Sequence, residues 1–123
     1  MKLSNLWNEK SVTLSFEVFP PKKDSDFDTV RFAAEQIAEL KPDFMSVTYG
    51  AGGGTSAYTA EIARILQAGH KVPALAHLTC VSSNRDRIHQ ELETLKAAGI
   101  ENILALRGDY PAGYDPNAPR DYR

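Results

Sequence analysis

Four short apolar runs recur along this chain, at residues 12–18, 44–48, 73–79 and 102–106, and stretches of helical period separate them. The runs are strand-length and the intervals helix-length, so the chain reads β-α-β-α-β-α-β. A strand that must be reached through a helix pairs in parallel with its predecessor, because a parallel neighbour needs a long crossover. This alternation predicts a parallel α/β fold and excludes bundles and sandwiches.

Each interval carries its own signals. In the first run Val12, Leu14, Phe16 and Val18 alternate with Thr13, Ser15 and Glu17, which gives one apolar and one polar face. Pro20-Pro21 ends it, since proline offers no N–H to a ladder. Ser25 is expected to cap a helix with the stripe Phe27, Val30, Ala34, Ile37 and Leu40, stopped by Lys41-Pro42. Ser56 or Thr59 opens the next helix, which carries Ile62, Ile65 and Leu66 and closes at Gly69 as a left-handed cap. Ser83 with Asp86 three residues later resembles a capping box, opening a helix with Ile88, Leu92 and Leu95 that ends at Gly99. From Arg107 onward the Gly and Pro content predicts loop.

Two closures of such a sheet compete, an open doubly wound sheet and a barrel. The polar sets Thr13/Ser15/Glu17, Ser46/Thr48 and His77/Thr79 favour the barrel. Central strands of a doubly wound sheet are covered on both faces and should be apolar on both, whereas a barrel's inward face turns polar near its mouth. The expected fold is the first four βα units of a (β/α)8 TIM barrel, in one domain over residues 1–123. A complete barrel takes ~250 residues, so the chain reads as its N-terminal half, with two raw sheet edges.

Composition narrows the partners. The formal charge is -2 with no Lys/Arg stripe, which argues against nucleic acid. No apolar run approaches the ~20 residues of a membrane span, and Met1 to Trp7 lacks the apolar stretch of a signal peptide. Cys80 stands alone, so neither a disulfide framework nor a cysteine zinc site is available. The expected location is cytoplasmic.

The chemistry-bearing residues stand where strands end. Glu17 is a carboxylate between Phe16 and Val18, where desolvation would suit it to general acid work. Thr48 closes the second run and leads into Tyr49-Gly50-Ala51-Gly52-Gly53-Gly54-Thr55. This loop fails as a dinucleotide fingerprint: Thr55 replaces the third glycine, and no acidic residue ends the next strand. It also lacks the lysine of a phosphate loop, and reads as backbone that lets a flat ligand lie close. His77 is a candidate donor to a polar ligand, with no second histidine or carboxylate at metal-ligand spacing. In Arg107-Gly108-Asp109, Gly108 permits a tight turn and Asp109 directs a negative charge into the mouth.

Residues 15–22 (Ser-Phe-Glu-Val-Phe-Pro-Pro-Lys), 46–53 (Ser-Val-Thr-Tyr-Gly-Ala-Gly-Gly), 77–80 (His-Leu-Thr-Cys) and 105–111 (Ala-Leu-Arg-Gly-Asp-Tyr-Pro) occur in this order over nearly the whole chain. Together they resemble the ordered signatures of the methylenetetrahydrofolate reductase family. Val18 is a departure, since the family more often has an aromatic there; by parity it faces outward and little should change. The resemblance implies a flavoenzyme on a (β/α)8 barrel, with FAD at the C-terminal strand ends. A reduced nicotinamide cofactor, NADH or NADPH, passes hydride to FAD, and methylenetetrahydrofolate is reduced to methyltetrahydrofolate for methionine synthesis. It further implies that Glu17 is the acid that protonates the folate nitrogen, and that Asp109 sits by the flavin and the pterin. Thr48, Tyr49, His77, Leu106, Arg107 and Gly108 would line the FAD site with Asp109, and the full-length protein would be a homo-oligomer. The alternative is a half-barrel that serves only as a binding or assembly module through its open edges.

Overall fold

The computed structural model describes residues 1–50, 56–110 and 112–118. In chain order its elements are α1 (Leu3–Glu9), β1 (Ser15–Val18), a 3₁₀ turn (Asp24–Asp26), α2 (Phe27–Ala38), β2 (Phe44–Val47) and α3 (Ser56–Arg64). A π-helical turn (Ile65–Gly69) continues α3, and β3 (Ala74–Thr79), α4 (Arg85–Ala97) and β4 (Asn102–Leu106) follow. The strands form one parallel sheet in the order β1-β2-β3-β4. Each connection steps one strand in the same direction, without the reversal of a doubly wound sheet. The architecture is that of successive βα units of a TIM barrel, left open between β1 and β4 among the described residues.

Packing explains why the sheet has two unlike faces. In register, Phe16 aligns with Met45 and Ala74, and Val18 with Val47 and Ala76. These side chains meet Ala34 and Ala38 of α2, Ala60, Ile62 and Ala63 of α3, and Leu66, Leu95 and Ile100 in one core. The alanines on both layers let the helices approach closely, and Met45, Ile62 and Leu66 fill the space between as its largest buried side chains. The other face carries Glu17, Ser46, His77 and Thr79. Val18 faces the helices as its parity predicts, so its difference from an aromatic falls on the packed side.

A short helix that the sequence reading left out crosses the N-terminal ends of the strands. Leu3 and Leu6 of α1 are buried, and the Leu3 N–H donates to Asn102 Oδ1 at 2.9 Å. Asn102 Nδ2 donates to the Met1 carbonyl at 2.8 Å, and Trp7 meets Phe44 edge to face. Asn102 opens β4 and Phe44 opens β2, so α1 ties the starts of two strands that do not touch each other.

Several local expectations shift. The first strand was expected from residue 12 but begins at Ser15, leaving Val12 and Leu14 exposed. The cause is Asp43, whose backbone N–H donates to the Leu14 carbonyl while its Oδ2 accepts the Leu14 N–H, so a side chain replaces the ladder there. Ser25 lies in the 3₁₀ turn instead of capping α2, and Leu40 falls beyond the helix and is exposed. Gly69 stays inside the π turn; the left-handed residue is Lys71, two positions later, at φ 59°. Asn84 caps α4 in place of Ser83, its Oδ1 accepting the Arg87 N–H at 2.8 Å. The helix ends before Gly99 as expected, and Gly99 takes the left-handed conformation at φ +78°. The glycine loop at residues 51–55 lies outside the described residues.

Asp43 is the hinge of this corner and should show in the acid limb of stability. The hydrogen bond from Lys10 and then the Leu14 N–H hold its carboxyl below the ordinary value of 3.8. A depressed folded-state value stabilises in full above that ordinary value, and the gain is lost as pH falls through the lowered one. Asp43→Asn should melt below the parent near neutral pH, and the gap should close on the acid side. Melting curves taken from about pH 6 down to about pH 2 read this directly.

Candidate functional site

The C-terminal ends of the strands present the polar face to solvent. There a cavity of about 570 Å³ is lined by Thr48, Tyr49, His77, Thr79, Val81, Leu106, Arg107, Gly108 and Asp109. All seven residues that the resemblance implied for cofactor contact are in this lining. Val81 was not foreseen, and Thr79 was expected only as part of the polar face it shares with His77. The volume falls within the roughly 300–1,000 Å³ usual for small-molecule sites.

Each part of the lining is set by its strand. Past β2, the Thr48 N–H donates to the Val18 carbonyl at 3.0 Å, continuing the ladder, and Thr59 Oγ1 of α3 donates to the Thr48 carbonyl at 2.8 Å. Past β3, the Cys80 and Val81 N–H groups donate to the Leu106 and Arg107 carbonyls at 3.1 and 2.8 Å. The rigid ladder therefore extends into the loops that form the cavity wall. Gly108 turns back at φ +87°, and a Cβ there would sit 2.9 Å from Thr79 Cβ and 3.1 Å from Val81 Cγ1. Only glycine fits both the conformation and the space.

The cation of the site is turned onto aromatics. The Arg107 guanidinium lies 4.1 Å from the Tyr110 ring centroid, and its Nη1 donates to Tyr110 Oη at 3.0 Å. Tyr110 in turn stacks on Tyr114 at 4.0 Å between centroids. Asp109 is exposed beside this stack on the cavity wall.

Glu17 stands next to the cavity and joins it through His77. Ser46 Oγ donates to Glu17 Oε2 at 2.9 Å, and His77 Nε2 lies 3.6 Å from the same oxygen. The His77 side chain is 12 % exposed and that of Glu17 47 %. The desolvation expected for a carboxyl in an apolar strand is therefore not met: β1 is a sheet edge, and the polar face beside it is uncovered. Glu17 on β1 and Asp109 after β4 lie at opposite edges of the sheet, three strands apart. Between them the arrangement offers a carboxyl, an imidazole, hydroxyls, a cation and a backbone turn with no side chain, around space for a flat ligand.

Fold and site together define an α/β protein of the parallel barrel type, with its polar groups gathered at the C-terminal ends of the strands. The sequence model of the family described as methylenetetrahydrofolate reductase matches residues 2–122. The chain belongs to the methylenetetrahydrofolate reductase family. It is 37 % identical over 114 residues to methylenetetrahydrofolate reductase (NADH) 1 of Arabidopsis thaliana, covering 93 % of this chain and 19 % of the relative. Against methylenetetrahydrofolate reductase (NADH) 1 of Zea mays it is 42 % identical over 101 residues, 82 % of this chain and 17 % of the relative. Against 5,10-methylenetetrahydrofolate reductase of Escherichia coli K12 it is 35 % identical over 102 residues, 83 % of this chain and 34 % of the relative. The chain thus spans about a fifth of the plant relatives and about a third of the bacterial one.

Gly108 gives a direct check on the cavity wall. Gly108→Ala should destabilise by about 1–3 kcal/mol from backbone strain alone, and further from the overlap with Thr79. Gly113 has φ +79° with nothing within 4 Å, so Gly113→Ala should pay only the backbone part. Denaturant midpoints of the two variants should separate, with Gly108→Ala the lower.

Proposed function

We propose that this chain supplies the acid and one wall of the cofactor site of a flavin-dependent folate reductase in one-carbon metabolism and methionine synthesis. The observation that carries this reading is the single cavity wall that gathers Thr48, Tyr49, His77, Leu106, Arg107, Gly108 and Asp109, with Glu17 attached through His77. The residues fit FAD by their chemistry. Hydroxyl and imidazole residues line a cavity floored at Gly108 by bare backbone, which leaves clearance for a flat ring, with the Arg107 guanidinium held over the Tyr110 ring. The chemistry FAD supplies when bound is the relay of hydride from NADH or NADPH to the folate. This chain's residues bind, orient and protonate. Glu17 holds a proton for the nitrogen of 5,10-methylenetetrahydrofolate whose bond to the bridging carbon breaks, so that reduction yields 5-methyltetrahydrofolate. Asp109 at the far edge orients the pterin and the flavin.

In a full-length reductase built on this chain, Glu17→Gln should leave flavin reduction by nicotinamide intact. Reduction of the folate should fall by about 10²-fold or more, the usual range for loss of a general acid. Stopped-flow measurement of the two half-reactions separates them, and equal loss in both overturns the acid assignment.

The 123 residues by themselves are proposed to bind FAD weakly and not to turn over, because the polar face around Glu17 is uncovered. A second reading is favoured by β4, where Ile103, Leu104 and Leu106 are exposed on both faces of an edge strand. It makes the chain a non-catalytic module that assembles through its edges. Flavin fluorescence titration of the isolated chain, run beside sedimentation, distinguishes them. Sub-micromolar FAD affinity overturns the first statement, and a stable flavin-free dimer favours the second reading.

A further inference from the structure

Ser46 has no part in the cavity lining, yet it is 8 % exposed and its hydroxyl is spent on one acceptor, Glu17 Oε2, at 2.9 Å. The contact is built into the sheet, because Glu17 and Ser46 are direct register partners on β1 and β2. Ser46 is held in turn by ladders on both sides, with β1 and with β3, where its partner is Leu75. His77 Nε2 approaches the same oxygen at 3.6 Å from β3. Ser46 thus donates to Oε2, the oxygen His77 also faces, and no hydrogen bond from the described residues reaches Oε1. While Ser46 donates to it, Oε2 takes the carbonyl part of the protonated acid, which leaves the proton of Glu17 to Oε1.

We infer that Ser46 is a positioning residue: by engaging Glu17 Oε2 it fixes the carboxyl plane and keeps the transferable proton on Oε1. The inference rests on the reading of Glu17 as the acid and adds to it the group that aims it. Glu17 is about half exposed, and without Ser46 its carboxyl is free to rotate and to carry the proton on either oxygen. A positioning contact of this kind acts on the proton transfer alone. Hydride passage from nicotinamide to flavin involves no proton from Glu17 and should not feel it.

The test is a double-mutant cycle on the two half-reactions of a full-length reductase built on this chain. Ser46→Ala should slow folate reduction about 10-fold, the upper range for loss of one hydrogen bond between uncharged groups, with flavin reduction and folate KM unchanged. Ser46→Thr keeps the hydroxyl and should recover most of the rate. In a Glu17→Gln background, Ser46→Ala should cost nothing further, since the group it aims has lost its proton. Should Ser46→Ala fail to fold, Ser46→Cys carries the same test with a nearly isosteric, weak donor. Folate reduction unchanged in Ser46→Ala overturns the inference, as does an additive loss on top of Glu17→Gln or an equal slowing of both half-reactions. If Glu17→Gln alone leaves folate reduction intact, the acid reading itself fails and the positioning role falls with it.

Discussion

The packing of α2 and α3 against the apolar face of β1, β2 and β3 fixes everything else in this molecule. Side chains alternate along a strand, so committing Phe16, Val18, Met45, Val47, Ala74 and Ala76 to the helices leaves Glu17, Ser46, His77 and Thr79 no choice of face. A slip of one residue would turn Glu17 toward the helices in β1, expose Met45 and Val47 in β2, or bury His77 among alanines in β3. The cost of burying an unpaired charge makes that alternative unavailable. The hydrophobic core therefore specifies the position of the polar site without touching it.

The parallel arrangement then decides where the chemistry lies along the strands. All four point the same way, so their last residues and the loops beyond them meet at one end. Backbone hydrogen bonds from Thr48, Cys80 and Val81 carry the ladder one or two residues past the strands proper. Loops held this way place side chains almost as firmly as strands do, which suits a site that must orient a ligand. At the opposite end α1 closes the sheet through Asn102 and through Lys10 with Asp43, so stability and chemistry are separated by the length of a strand.

What was legible in the sequence follows from how local its signal is. The β4 boundaries and the end of α4 at Gly99 were readable from local pattern, and the seven cavity residues from the strand-end motifs that carry the family resemblance. The helix α1 was not, because two buried leucines in a two-turn helix make too short a pattern, and what holds it is Asn102, a residue about a hundred positions away. The early start expected for β1 failed for the same kind of reason. Val12 and Leu14 alternate properly, yet Asp43 takes the Leu14 N–H by a side chain that periodicity does not reveal. The left-handed residue falls at Lys71 because Gly69 is still inside the π turn, which composition does not reveal. Ser46 could be placed on the polar face by parity, but that its hydroxyl serves Glu17 requires the register between two strands.

The distribution of exposure across the polar face bears on which part of the chemistry this chain can perform. Ser46 and His77, on the two inner strands, are 8 % and 12 % exposed, whereas Glu17 on the β1 edge is 47 % exposed. Groups that hold a ligand work at a wet surface, because hydrogen bonds and stacking survive contact with water. A proton donor aimed at a developing charge gains most of its power where water is excluded, since the same dipoles act far more strongly in a low-dielectric site. The acid proposed at Glu17 therefore stands in a wetter environment than Ser46 and His77 do. The edge strand β4, with Ile103, Leu104 and Leu106 exposed on its two faces, has the composition of a strand flanked and covered on both sides. Covering the polar face would bring Glu17 out of water while leaving its contact with Ser46 unchanged. On the proposed reading of Glu17 as the acid, its strength as a proton donor rises as the polar face is covered.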